Sequence, residues 1–276
     1  MEENYTDESL NTENHSDEED EMELSHTDKL VGVFAEPVET FSKMAKSEPR
    51  HLDWFLPVFL LIVVAVVSNF VMMSNPYIKN SIIEKQMAKI EQNFQKAVDE
   101  GKMTSEQANA QMENIRENIE RNMAAGRVFQ VIGMIIFIFG SFFVISLVYW
   151  LVAKFGLKGD GTYADTMVAF GLPYYISIIQ VIVMVILALS MDKFFQTTSV
   201  ASFIDADTST ITGFILSKLD VFSIWFYAVV SIGMAKMFKS QSTGKYYGMI
   251  FGLWIGVSLL FFFAGKLFPV LRFFMP

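Results

Sequence analysis

Apolar residues gather into five long runs along the chain, at 54–73, 128–152, 167–191, 221–238 and 246 to about 266. An apolar helix of about 20 residues matches the ~30 Å hydrocarbon layer of a bilayer, where only internally hydrogen-bonded backbone is tolerated. The pattern predicts an all-α, polytopic membrane protein, a five-transmembrane-helix bundle. The stretch between the first two runs, 74–127, is different in kind, with eight acids and eight bases. Ile83, Met87, Ile90, Phe94 and Val98 share one helical face, and Met112, Ile115, Ile119 and Met123 share another. Gly101 interrupts the first helix, and Thr104 with Gln107 three positions later forms a capping box that restarts the pattern. An extramembrane helical hairpin between spans 1 and 2 is expected. Neither stripe can be buried on one helix alone, so the two pair with each other, a second subunit or a partner; self-pairing is the leading expectation.

Residues 29–53 read as an amphipathic segment. Pro37 suits a first helical position, and Val38, Phe41, Met44 and Ala45 follow on one face. With Lys43, Lys46 and Arg50 able to reach outwards, the segment fits a helix lying in the headgroup layer. Packing on the bundle is the alternative. At the other end, LFPVLRFFMP holds two prolines and Arg272, which suits an interfacial end better than a sixth span.

Charge changes the picture only at the N-terminus. Residues 1–28 hold twelve acids and no base; setting those twelve aside from the 30 acids leaves 18 against 21 Lys+Arg, so the net charge of −9 belongs to the tail. Such a segment buries too little apolar surface to offset its ordering entropy and reads as a disordered acidic tail. It lacks the basic start and apolar core of a secretory signal, so the first span is expected to act as an uncleaved anchor. Counting bases in short loops puts Lys43, Lys46, Arg50, Lys154, Lys158, Lys236, Lys239 and Lys245 on the cytoplasmic side, with the N-terminus, and leaves Lys193, Lys218, Lys266 and Arg272 with the C-terminus outside. The hairpin's eight bases go against this count.

Candidate chemistry is sparse. There is no cysteine, and His15, His26 and His51 have no metal-ligand spacing, so no metal, cofactor or catalytic residue is assigned. Thr243-Gly244-Lys245 lacks the rest of a P-loop, Asp205 and Asp207 read as a solvated loop pair, and the bases are too scattered for nucleic acid. No charge falls in the middle of a span; Lys154, Asp220, Lys236 and Lys266 sit near span ends, as snorkelling residues do. Gly248, Gly252 and Gly256 recur every fourth residue and predict a close helix–helix approach, either within the chain, the more frequent case, or to another copy, so that Gly252→Leu should disrupt the bundle. Pro173 predicts a kink in the third span. Asn69, Tyr174, Tyr175, Ser177 and Gln180 form a candidate polar cluster. The glycines Gly156, Gly159 and Gly161 permit a tight turn back into the bilayer, with Asp160 or Thr162 capping the next helix.

Three segments together resemble one known family. VGVFAEPVETFSKMAKSEP before the first span, GLKGDGTYADTMVAFGLPYY entering the third, and WFYAVVSIGMAKMFKSQSTGKYYGMIFGL across the fourth and fifth are similar to the Yip1 domain family, with Gly156, Gly159, Tyr163 and Pro173 as the most specific part. The resemblance implies a Yip1-like membrane domain over 54–276, an N-in, C-out topology and a non-enzymatic role. Eukaryotic relatives bind prenylated Rab-type GTPases and shape early secretory membranes. This chain lacks their DLYGP-type motif and carries the hairpin, which looks more like prokaryotic members and a bacterial inner membrane. The leading expectation is membrane organisation or an adaptor that recruits a membrane or peripheral protein, with a second copy of the chain as one candidate partner and the lipid bilayer as its solvent. A small-solute or lipid transporter is the alternative. The two differ in whether Asn69, Tyr174, Ser177 and Gln180 converge on a solvated cavity or are consumed by helix contacts.

Overall fold

The computed structural model describes residues 24–267, without the side chains of Lys85, Lys89 and 119–128. Most of the acidic tail and the last nine residues, including Arg272, lie outside the described residues. Every regular element among the described residues is helical: α1 His26–Ala35, α2 Pro37–Met44, α3 His51–Ser74, α4 Pro76–Asp99, α5 Ser105–Leu151, α6 Tyr163–Gly171, α7 Tyr174–Met191, α8 Val200–Phe203, α9 Ile211–Lys218, α10 Val221–Met237 and α11 Thr243–Leu267. Four stretches are long and apolar enough to cross a bilayer: His51–Ser74, Phe129–Gly156, Tyr163–Met191 and Thr243–Leu267. The pair α9 and α10, bent by 62°, makes a fifth if taken as one broken span. Phe137, Ile136 and Val144 on α5 and Leu260 on α11 are more than half exposed. Apolar surface of this extent suits lipid and not water. The chain is an integral, multi-pass, all-α membrane protein.

Local chemistry sets the helix ends. Asn75 accepts hydrogen bonds from the amides of Tyr77 (2.9 Å) and Ile78 (3.3 Å) to start α4, with Pro76 at the first helical position. Gly101, at φ 68°, ends it, and the Lys102 amide turns back to the Ala97 carbonyl at 2.8 Å. The Thr104–Gln107 box then closes in both directions, at 3.0 and 3.2 Å. Both hairpin stripes are half-buried where described, including Ile83, Ile90, Phe94, Met112 and Ile115.

The second hairpin helix and the second span are one element. Helix α5 runs 47 residues without a break, because nothing in 105–151 stops a helix; only the surrounding solvent changes from water to lipid. The third span does break, at Leu172–Pro173, where the ring removes a backbone donor. The N-terminal segment also differs from the expectation. The helix begins at His26, inside the expected tail, because Ser25 and Asp28 form a capping box. Phe41 and Met44 of α2 are buried in protein, so the face expected to lie in the headgroup layer packs on the bundle instead, with Val38 left exposed.

The chain divides into two compact units. The first comprises 24–57, 145–175 and 226–267 of the described residues. At its centre Phe170 meets the rings of Tyr149 and Tyr174 at 5.3 Å and Phe226 at 5.8 Å, among buried Val168, Val230, Met234 and Ile250. The second comprises 58–144 and 176–225, with a core that includes Met72, Ile78, Ala188 and Phe195.

Candidate functional site

The first unit holds a buried polar cluster that joins three helices. Helical spacing puts His26, Lys29 and Val33 on one side of α1. Lys29 donates to both oxygens of Asp53, in the first turn of α3, at 2.8 Å each; the two side chains are only 9% and 5% exposed. His26 shares a 2.6 Å hydrogen bond with the hydroxyl of Tyr175, and its other ring nitrogen lies 3.8 Å from Asp53. The result is a continuous chain of polar contacts from Tyr175 through His26 and Asp53 to Lys29. A buried ion pair of this kind does not add much net stability, but it fixes which surfaces meet, because any other arrangement strands a charge. Tyr175 is the only one of the four that the sequence flagged. Lys43 makes a separate, exposed pair with Glu39 at 2.8 Å, and their mutual hydrogen bond holds Glu39 below and Lys43 above their ordinary pKa ranges.

The glycine-rich loop between α5 and α6 is built for packing. Helix α5 ends in a π-helical turn, Val152–Gly156, Lys158 takes φ 56°, and the Gly159 amide reaches the Ala153 carbonyl at 3.0 Å. A methyl group on Gly159 would lie 2.6 Å from both the Phe238 ring and the Tyr246 hydroxyl, and one on Gly161 would enter the Phe238 ring. Gly156 has only its own turn nearby. The Gly161 carbonyl accepts from the Trp150 indole at 3.3 Å, and Tyr163 packs edge-on against that indole. Thr162, not Asp160, caps α6 in a box with Asp165. The loop's open backbone is therefore filled by aromatic rings from the ends of α10 and α11.

Gly248, Gly252 and Gly256 are placed otherwise than expected. No atom of the described chain beyond the helix itself comes within 4 Å of the position a side chain would take at any of them. Helix α11 meets α10 through a stack of Tyr227 on Trp254, 4.5 Å between centroids, and the close backbone approaches occur at Gly171 beside Trp54 and at Gly233 beside Phe41 and Ala169. Within the described chain the strip is therefore open, and a helix of a second copy is the neighbour it still allows.

The residues of the candidate polar cluster are shared between the two units. Tyr174 and Tyr175 belong to the first unit, while Asn69, Ser177 and Gln180 belong to the second. There Gln180 donates to Thr198 and Asp220 at 3.0 Å each, and Thr198 donates to Asp220 at 2.9 Å. Asp220 is 3% exposed and caps α10 by accepting from the amides of Phe222 and Ser223. The expectation of a snorkelling residue fails here because an aspartate is too short to snorkel; it is buried and hydrogen-bonded instead. Asp220→Ala removes an N-cap and strands two side-chain donors, so it should cost about 1–3 kcal/mol. Thermal unfolding in detergent reads this as a lower midpoint, and an unchanged midpoint would contradict the capping role.

A family model described as the Yip1 domain matches residues 31–265. The chain belongs to the Yip1 family. The Yip1 match takes in the hairpin, the glycine loop, Asp53 and Tyr175, whereas His26 and Lys29 precede it. No curated protein and no solved structure matches the chain. The described residues of this Yip1 protein contain no group of three metal-ligating side chains.

Proposed function

We propose that this Yip1-family protein is a non-enzymatic membrane adaptor that recruits or organises other proteins, with its N-terminus in the cytoplasm and its C-terminus outside. One observation carries the reading: Tyr175 of the candidate cluster is tied through His26 to Asp53 and Lys29, which fastens α1 to the bundle, and Gln180 is bound to Thr198 and Asp220. Clamping α1 gives the preceding acidic segment a fixed point of departure at Leu24, which suits presentation to a partner. The hairpin, with balanced charge on its outer faces, is a second such surface. A transporter reading is favoured by the break at Leu172–Pro173 with the tyrosine pair beside it and by the buried Asp220, although the oxygens of Asp220 are already engaged.

Crosslinking in native membranes followed by mass spectrometry tests the adaptor reading. The intact chain should capture a defined protein, another copy of the chain included, and versions lacking residues 1–23 or 79–122 should lose it. Capture that neither deletion changes would remove the proposed docking surfaces. No capture at all, combined with solute or lipid flux in reconstituted vesicles, would favour the transporter.

A further inference from the structure

A shallow pocket opens between the end of α2 and the start of α3, with Met237, the last residue of α10, in its wall. Its charged lining is Lys29, Lys43 and Arg50 against Glu48 and Asp53, a net of +1. We propose that this pocket binds the phosphodiester of an anionic phospholipid headgroup. The inference is independent of the adaptor reading.

Depth is the first argument. Arg50 directly precedes membrane helix α3 and Met237 ends α10, so the pocket lies where helices meet the headgroup layer. Beside it the rings of His51, Trp54 and Phe55 form an edge-to-face series, with centroids 6.3 and 5.9 Å apart, as aromatic residues do at a membrane boundary. Donor chemistry is the second argument. A guanidinium carries five N–H groups in a fork that matches phosphate oxygens and remains cationic at any physiological pH; Arg50 is exposed and already interacts within the chain, so a phosphate shares or replaces that partner. Lys43 is half exposed, and its pair with Glu39 is screened by solvent, so exchanging that carboxylate for a phosphate costs little. Lys29 spends two hydrogen bonds on Asp53 and keeps a third N–H, which makes the buried ion pair a fixed floor.

Charge sets the selectivity. A net of +1 in the lining matches one singly charged phosphodiester, while around it Lys46, Lys236 and Lys239 stand against Asp28, Glu36 and Glu39, which act on Lys43. Glu48 and Asp53 oppose a multiply charged ligand. Met44 and Met237 supply a pliable apolar wall suited to the glycerol and first methylenes of a lipid.

The test is native mass spectrometry of the detergent-solubilised full chain, titrated with short-chain phosphatidylglycerol, short-chain phosphatidylcholine and soluble glycerol 3-phosphate. One phosphatidylglycerol should bind saturably, with phosphatidylcholine and glycerol 3-phosphate each weaker by about tenfold or more. The double variant Lys43→Gln/Arg50→Gln, which alters only exposed side chains, should weaken phosphatidylglycerol about tenfold or more, whereas Lys102→Gln at the hairpin tip should leave it unchanged. Equal binding of the two lipids, or indifference to the double variant, would overturn the site. Glycerol 3-phosphate binding as tightly as the lipid would assign the pocket to a soluble phosphate ester and overturn the lipid reading.

Discussion

Lys29→Ala lowers the unfolding free energy of the detergent-solubilised protein by about 3–5 kcal/mol, the range for stripping one partner from a buried ion pair. The size of the effect comes from what remains. Asp53, 5% exposed, keeps its charge but loses the cation that donates to both of its oxygens, with the His26 ring 3.8 Å away. Removing both charges in Lys29→Met/Asp53→Leu should recover most of the loss, because an apolar pair of similar volume carries no desolvation penalty. The double-mutant cycle, read from thermal midpoints, therefore gives a large coupling between positions 24 residues apart in the chain. Single and double variants that lose the same stability would show that the contact is peripheral to how α1 is held.

The second large effect falls on the glycine loop. Gly161→Val puts a branched side chain where the Phe238 ring already stands, and overpacking of this kind costs about 1–3 kcal/mol or more. Ring and loop cannot both keep their positions, so the contact of Tyr163 with Trp150, and the indole's bond to the Gly161 carbonyl, should loosen with it. Gly252→Leu is the informative comparison. With nothing within 4 Å of its side-chain position, and with leucine the better helix former, it should change stability by about 0.5 kcal/mol or less. The reverse order of effects in thermal unfolding would place α11 against a neighbour after all.

These contrasts show what a single sequence discloses. The spans, the Thr104–Gln107 box and the Pro173 break were legible because each depends on a local rule: apolar length, a cap within four residues, a missing donor. Long-range pairing carries no such signature. Lys29 and Asp53 stand 24 positions apart with no pattern linking them, although the spacing of His26, Lys29 and Val33 puts three buried or half-buried residues on one helical side. Asp220 was misread for a physical reason that the sequence did contain, since its short side chain excludes snorkelling and its place just before an apolar run suits an N-cap. The glycine repeat of α11 reports permission for close approach, and it does not say whether the neighbour belongs to this chain or to another copy. Gly171 and Gly233, where that permission is used, stand in no repeat.

Helix α5 has a consequence for hydrogen bonding. At 1.5 Å per residue its 47 residues extend about 70 Å, of which the hydrocarbon layer accounts for about 30 Å. The polar part and the membrane part share one unbroken backbone ladder, with no hinge between them. The chain thus crosses from water into lipid without a joint, and no backbone N–H or C=O is left to be satisfied at a boundary where the lipid would offer it no partner.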